Sequence, residues 1–217
     1  MIEGIQIKVC GLTSFVDAEL ADGLGADYLG FILHPKSPRY IPLAQYRSMA
    51  ARLPERKKVG VAVEPSLPDL LAMKDAGFDR FQVHFRSELP LPQIEAYSKA
   101  VGASKLWLAP KFPSGVDVAR EWLSLADTIV FDTFDPALFG GTGRTGDWPK
   151  FKRHRSAHPE NTWVLSGGLN PENVGGALTE SGARFVDVNS GVESSPGIKD
   201  HERLRAFVAA VRGAKGA

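Results

Sequence analysis

Eight short apolar runs alternating with helix-period segments, and strand entries that recur about every fifty residues, predict an α/β protein. The expected fold is a single-domain, closed (β/α)8 TIM barrel over residues 1–217. The runs are Ile5–Cys10, Tyr28–Leu33, Lys58–Val63, Phe81–Phe85, Lys105–Ala109, Thr128–Asp132, Thr162–Leu165 and Phe185–Asn189. They are rich in Val, Ile, Leu and Phe and mostly continuous, the pattern of parallel strands covered on both faces.

Amphipathic segments lie between them. Phe15–Asp22 follows Thr13-Ser14, whose hydroxyls suit an N-cap. Pro68–Lys74 follows Ser66, and Asn173–Leu178 follows Asn170-Pro171-Glu172, with each proline near a helix start, where its missing N–H has no partner to lose. The last segment, His201–Arg212, sets Leu204, Phe207, Val208 and Val211 on one face. Strand entries read Gly25-Ala26-Asp27, Gly77-Phe78-Asp79, Ala126-Asp127 and Gly182-Ala183-Arg184. Glycine is the expected left-handed residue that ends a helix before a strand. The intervals of 52, 48 and 57 residues each hold two strand–helix units, making eight strands. An open doubly wound sheet is the alternative.

Composition narrows the function. The 217 residues carry 26 Lys+Arg against 25 Asp+Glu, both signs scattered, without the basic stripe of a nucleic-acid protein or a polybasic membrane anchor. No apolar run reaches the roughly 18 residues of a membrane span. The N-terminus lacks a basic start followed by an apolar stretch, so no signal peptide is expected. One Cys forbids an internal disulfide and fits a reducing cytoplasm.

In a (β/α)8 barrel, groups that act on a ligand project from the C-terminal ends of strands. Cys10 stands there, followed by Gly11. A lone Cys is by default a small buried hydrophobe. At a strand end, with a cation or helix N-terminus nearby, its thiol becomes a usable base. Asp132 closes the apolar strand Ile129-Val130-Phe131; it either caps the next turn or acts as an acid kept protonated by burial. Gly167-Gly168 and Ser190-Gly191 fall after strands seven and eight, where backbone N–H groups form the phosphate site common to these barrels. Arg39, in a loop stiffened by Pro35 and Pro38, is either solvated or set to grip a carboxylate with two hydrogen bonds. His84 ends strand four within reach of a ligand, whereas His154, His158 and His201 sit in polar surroundings and read as solvated. No His/Cys/carboxylate spacing suggests a metal. Gly141–Gly146 matches G-x-G-x-x-G but does not follow a first strand, so it reads as a mobile glycine-hinged loop rather than a dinucleotide site.

Taken together these blocks resemble the phosphoribosylanthranilate isomerases of tryptophan biosynthesis. The matching stretches are Lys8–Thr13, Gly30-Phe31 with Ser37–Tyr40, Phe131–Thr133, Gly140–Gly143, Asp147-Trp148, Leu165–Val174, and Asp187–Glu193 with Pro196-Gly197 and Lys199-Asp200. The resemblance implies a (β/α)8 barrel without cofactor that performs an Amadori rearrangement of a small phosphosugar, as monomer or homodimer. By position it implies Cys10 as general base, Asp132 as general acid, Arg39 on the anthranilate carboxylate, and Gly167, Gly168, Ser190 and Gly191 on the phosphate, with Asp187 lining the site. Three positions depart from the family pattern: Phe85 replaces a Gly and is expected to add bulk at the rim, strand five through Pro110 lacks a frequent Lys, and Gly146 replaces an aromatic. The competing readings are a related barrel acting on another aminoaldose or ribulose phosphate, and a catalytically silent phosphosugar binder.

Overall fold

The structure, a computed structural model, describes residues 1–111, 117–132 and 147–214. In chain order its elements are β1 (Gln6–Val9), α1 (Phe15–Gly23), β2 (Tyr28–Ile32), α2 (Leu43–Ala50), β3 (Lys57–Val63), α3 (Leu67–Asp75), β4 (Arg80–Arg86) and α4 (Leu91–Val101). There follow β5 (Leu106–Lys111), α5 (Arg120–Leu123), β6 (Thr128–Phe131), α6 (Trp148–Ala157), β7 (Thr162–Leu165), α7 (Val174–Ser181) and β8 (Phe185–Val188). A 3-10 turn at Ser190–Val192, the hairpin β9 (Glu193–Ser195) and β10 (Ile198–Lys199), and α8 (His201–Gly213) complete the chain. Strands β1 to β8 neighbour one another in sequence order and close into a barrel, β8 pairing back on β1 from Gln6↔Phe185 to Val9↔Val188. The expected barrel is what forms; the open sheet is not.

Local chemistry sets the helix starts. Ser14 and Ser66 Oγ accept from the backbone N–H of Asp17 and Asp69, three residues on. Asp147 caps α6 through Lys150 N, and Asp200 caps α8 through Glu202 and Arg203 N. The repeat glycines Gly25, Gly77 and Gly182 take positive φ before their strands, as expected. The helix expected after Asn170-Pro171-Glu172 is α7, with Asn173 at its N-cap position. Asn170 and Asn173 form the turn that leads into it, and Asn173 Nδ2 donates to Gly168 O at 2.9 Å, bracing the loop after β7.

Successive side chains point to opposite faces of a strand. Ile7 and Val9 therefore pack outward against the helices. Cys10 belongs to a separate inner cluster with Val61, Trp107, Ala109, Val130 and Val164. The floor of that interior is aromatic, with the rings of Tyr28, Trp107 and Phe185 lying 5.0 to 5.4 Å apart. Polar residues occupy the levels above: Lys8, Gln82 and Asp187, then His84 and Asp132 towards the strand ends.

Two expectations are corrected by this packing. Phe85 adds no bulk to the rim; it is fully buried on the outer face of β4, edge-on to Trp122 at 5.2 Å. His154 is not solvated but buried and stacked on Trp163, its ring 5.7 Å away. Strand five runs one residue past Pro110, to Lys111. The Gly141–Gly146 loop lies outside the described residues. Among the described residues no helix is long and apolar enough to cross a membrane.

Because the aromatic floor is the barrel's packed base, Trp107→Ala is expected to cost about 3–5 kcal/mol of folding free energy in urea denaturation. A loss under about 1 kcal/mol would mean that the rings do not carry the interior.

Candidate active site

A cavity of about 680 Å³ opens at the C-terminal ends of the strands. Cys10, Arg39, His84, Asp132, Gly167, Gly168, Asp187 and Ser190 all line it, eight of the nine residues singled out from sequence. The ninth, Gly191, is not in the lining. A Cβ there would come within 1.9 Å of Leu169 O, so glycine lets the chain after β8 approach the chain after β7.

Cys10 is 4% exposed. Burial pushes its thiol up from the ordinary cysteine range. The Lys8 ammonium opposes that rise by charge and hydrogen bond, Asp187 adds to it, and Lys199 opposes it more weakly. The cation that the thiol needed in order to serve as a base is therefore present, against a counteracting burial. Lys8 itself is wholly buried, with Nζ 2.9 Å from both Asp187 oxygens. Burial disfavours its charge, yet Asp187 and the sulfur hold the ammonium above the ordinary lysine range.

Asp132 stands across the barrel on the strand end after β6, its side chain 11% exposed. His84 Nδ1 lies 4.0 Å from Asp132 Oδ2. On the other side of that ring, Gln82 Nε2 donates to His84 Nε2 at 2.8 Å, which puts the ring proton on Nδ1, towards the carboxyl. Burial, helped by Lys8, Lys111 and His34, lowers the His84 pKa to about 3, so the imidazole is neutral.

Arg39 is neither solvated nor exposed. Its Nε and Nη2 form a two-pronged pair with Glu193, at 2.9 and 2.7 Å. Lys199 Nζ reaches the same carboxylate at 2.9 Å and Asn189 Oδ1 at 3.0 Å. Burial works against the Glu193 charge, but its hydrogen bonds to Arg39 and the Lys199 charge hold the carboxyl below the ordinary range. Only the Nη1 edge of Arg39 lies outside that pair. Gly167 and Gly168 take φ of +90° and +66°, a backbone region that favours glycine, and both line the cavity.

Sequence reasoning missed Lys8, Glu193 and Lys199. Lys8 carried a signal: a charge between Ile7 and Val9 in an apolar strand, in phase with Cys10, so facing inward with it. Glu193 and Lys199 carried none, because only the closed hairpin brings them under Arg39.

An eight-stranded parallel barrel with a thiol, a carboxyl and a glycine pair lining one cavity at its strand ends defines the class: a (β/α)8 barrel with groups suited to acid–base chemistry at the usual place for an active site. Comparison with known proteins makes this specific. The profile of the N-(5'-phosphoribosyl)anthranilate isomerase family matches residues 7–210, and the chain belongs to that family. The isomerase of Syntrophus aciditrophicus is 39% identical over 213 residues, covering 97% of this chain and 89% of that one. The crystal structure of the Thermus thermophilus enzyme superposes with a TM-score of 0.80 at 30% identity, covering 97% of this chain and all of the other. A phosphoribosylanthranilate isomerase in complex with reduced 1-(o-carboxyphenylamino)-1-deoxyribulose 5-phosphate superposes at 0.77 with 30% identity, over 96% and 99% of the two chains.

The buried neutral His84 makes stability depend on pH. Its folded pKa of about 3 lies below the ordinary 6.5, so between those values the unfolded chain binds the extra proton. This contribution is intact above about pH 6.5 and is lost as pH falls towards 3, by at most about 1.4 kcal/mol per unit. Thermal unfolding at pH 7 and pH 5 is expected to differ less in His84→Asn than in the parent chain. An equal difference in both would place the acid sensitivity elsewhere.

Proposed function

We propose that the chain catalyses the Amadori rearrangement of N-(5-phosphoribosyl)anthranilate to 1-(2-carboxyphenylamino)-1-deoxyribulose 5-phosphate, the isomerase step of tryptophan biosynthesis, with Cys10 and Asp132 as base and acid. The observation that carries this reading is that the only thiol and the Asp132 carboxyl open into one cavity whose rim includes Gly167, Gly168 and Ser190. The complex of a relative with a reduced form of the product supports it.

The substrate is an N-glycosylamine, and its opening needs a proton on the ribose ring oxygen. Asp132 supplies that proton, the ring C–O bond breaks, and the nitrogen lone pair forms the C1'–N iminium. This cation acidifies the C2' hydrogen. The Cys10 thiolate takes it, the C–H electron pair forms the C1'–C2' double bond, and the iminium becomes an enamine. Protonation at C1' and loss of the 2'-hydroxyl proton give the ketone, so the product is an isomer of the substrate. The substrate's own nitrogen is the electron sink, and one acid and one base suffice, each worth about 10²–10⁴-fold.

The remaining lining groups would orient the sugar. The Gly167-Gly168 amides and the Ser190 backbone hold the phosphate, with Gly191 acting by letting those two loops meet. The Arg39 edge left open by Glu193 receives the anthranilate carboxylate, while His84, turned by Gln82, donates towards the Asp132 carboxylate once its proton has gone. A free thiol acting as base must stay reduced, which suits the cytoplasm.

Cys10→Ala and Asp132→Asn are each expected to lower kcat by about 10²–10⁴-fold with unchanged thermal unfolding. Arg39→Ala is expected chiefly to raise KM, and to lower stability because Glu193 loses its partner. Steady-state kinetics on purified variants checks all three. Full activity in Cys10→Ala rejects the base; a silent phosphosugar binder gives ligand binding with no turnover in the parent chain.

A further inference from the structure

We infer that Lys8 is a positioning residue for the reaction: its buried ammonium, anchored by Asp187 close to the sulfur, favours the thiolate of Cys10 that the rearrangement requires and offsets part of what burial costs it. This rests on the reading of Cys10 as base. Lys8 and Asp187 are register partners on β1 and β8, and both Asp187 oxygens lie 2.9 Å from Nζ. Cys10 is two residues further along the chain, just past the end of β1, and faces the same interior. The neighbouring strand makes room for both. At Gly30 of β2, a Cβ would stand 3.0 Å from Cys10 Sγ and 3.0 Å from Lys8 Cε, so the sulfur and the lysine chain lean over the same glycine.

A wholly buried lysine inside a barrel is otherwise hard to account for, since filling the space with an apolar side chain would avoid desolvating two charges. A charge that also touches the reactive sulfur has a use there: it favours the ionised thiol over the neutral one. The groups facing Cys10 from the surrounding elements are Lys8 and Asp187, Lys199 of β10, and, around the shared cavity, Arg39, His84 and Asp132. Lys199 is already bound to Glu193, and Arg39 is bound to the same carboxylate. His84 is neutral. Lys8 is thus the cation that acts most strongly on the sulfur. Asp187 has two opposed effects, anchoring the lysine while repelling the thiolate.

That opposition gives the test. With one Cys in the chain, iodoacetamide labelling followed by mass spectrometry reads the Cys10 thiolate across pH without any substrate. Its outcome therefore stands apart from whether phosphoribosylanthranilate is turned over. An opposite charge in contact shifts a pKa by about 1–3 units, so Lys8→Met is expected to slow labelling at pH 7.5 by about tenfold or more. It should lower kcat with KM little changed. Asp187→Asn removes the repelling charge and is expected to speed labelling. A merely structural pair would move both variants in one direction, and that result, or an unchanged labelling profile in folded Lys8→Met, overturns the inference. Should either single variant fail to fold by circular dichroism, the double variant Lys8→Met/Asp187→Asn, which leaves no buried charge unpaired, decides: slower labelling than the parent supports the role of Lys8, and an unchanged rate overturns it.

Discussion

The buried ion pair between Lys8 and Asp187 is the constraint around which the interior is arranged. Taking two such charges out of water costs several kcal/mol each, and a pair survives only with close geometry and further hydrogen bonds. Here the carboxylate accepts twice from one ammonium, and Ser166 Oγ lies 3.4 Å from the same group. The pair cross-links the first and last strands of the barrel at their shared register, so the closure of the sheet and the placement of the charge are one event. Below it the aromatic floor excludes water. Above it lie the sulfur, the imidazole and the Asp132 carboxyl. An apolar interior would fold as well but would leave the thiol with burial alone, which pushes it away from ionisation.

A second charged network governs the rim. Glu193, reaching in from the hairpin after the eighth strand, gathers Arg39 and Lys199 on one carboxylate. The guanidinium is planar and rigid, so two of its donors held by Glu193 fix the direction of the rest. Gly11 and Gly191 allow the loops to come this close: a Cβ at Gly11 would stand 2.4 Å from Asn189 Oδ1, and one at Gly191 would strike the Leu169 carbonyl. The glycines around this mouth thus serve loop-to-loop contact as much as ligand contact.

The fold was legible in the sequence because buried parallel strands are apolar throughout and their helices carry separate caps and stops. Each signal is local, and eight repetitions leave few topologies. Strand ends were less so: β5 continues through Lys111 because pairing with β4, a non-local fact, extends it. The site was legible where a residue's type and its place at a strand end coincide, as for Cys10, Asp132 and the glycine pairs. It was illegible where function depends on a partner distant in sequence. Lys8 and Asp187 are separated by 179 positions, and Arg39 and Glu193 by 154. Phe85 was misread for the same reason, since Trp122 of α5 packs against it from outside β4, and His154 because α6 turns it onto Trp163 of β7.

Cys10 and Asp132 line a single shared chamber, the arrangement that acid and base acting on one molecule would require. The most direct measurement is growth without tryptophan of a bacterial strain lacking its own phosphoribosylanthranilate isomerase, supplied with this gene in its parent form or with Cys10 or Asp132 altered. The account predicts growth from the parent gene and none from a copy encoding Cys10→Ala or Asp132→Asn at equal protein levels. Failure of the parent gene, or growth with either variant equal to the parent's, would contradict it.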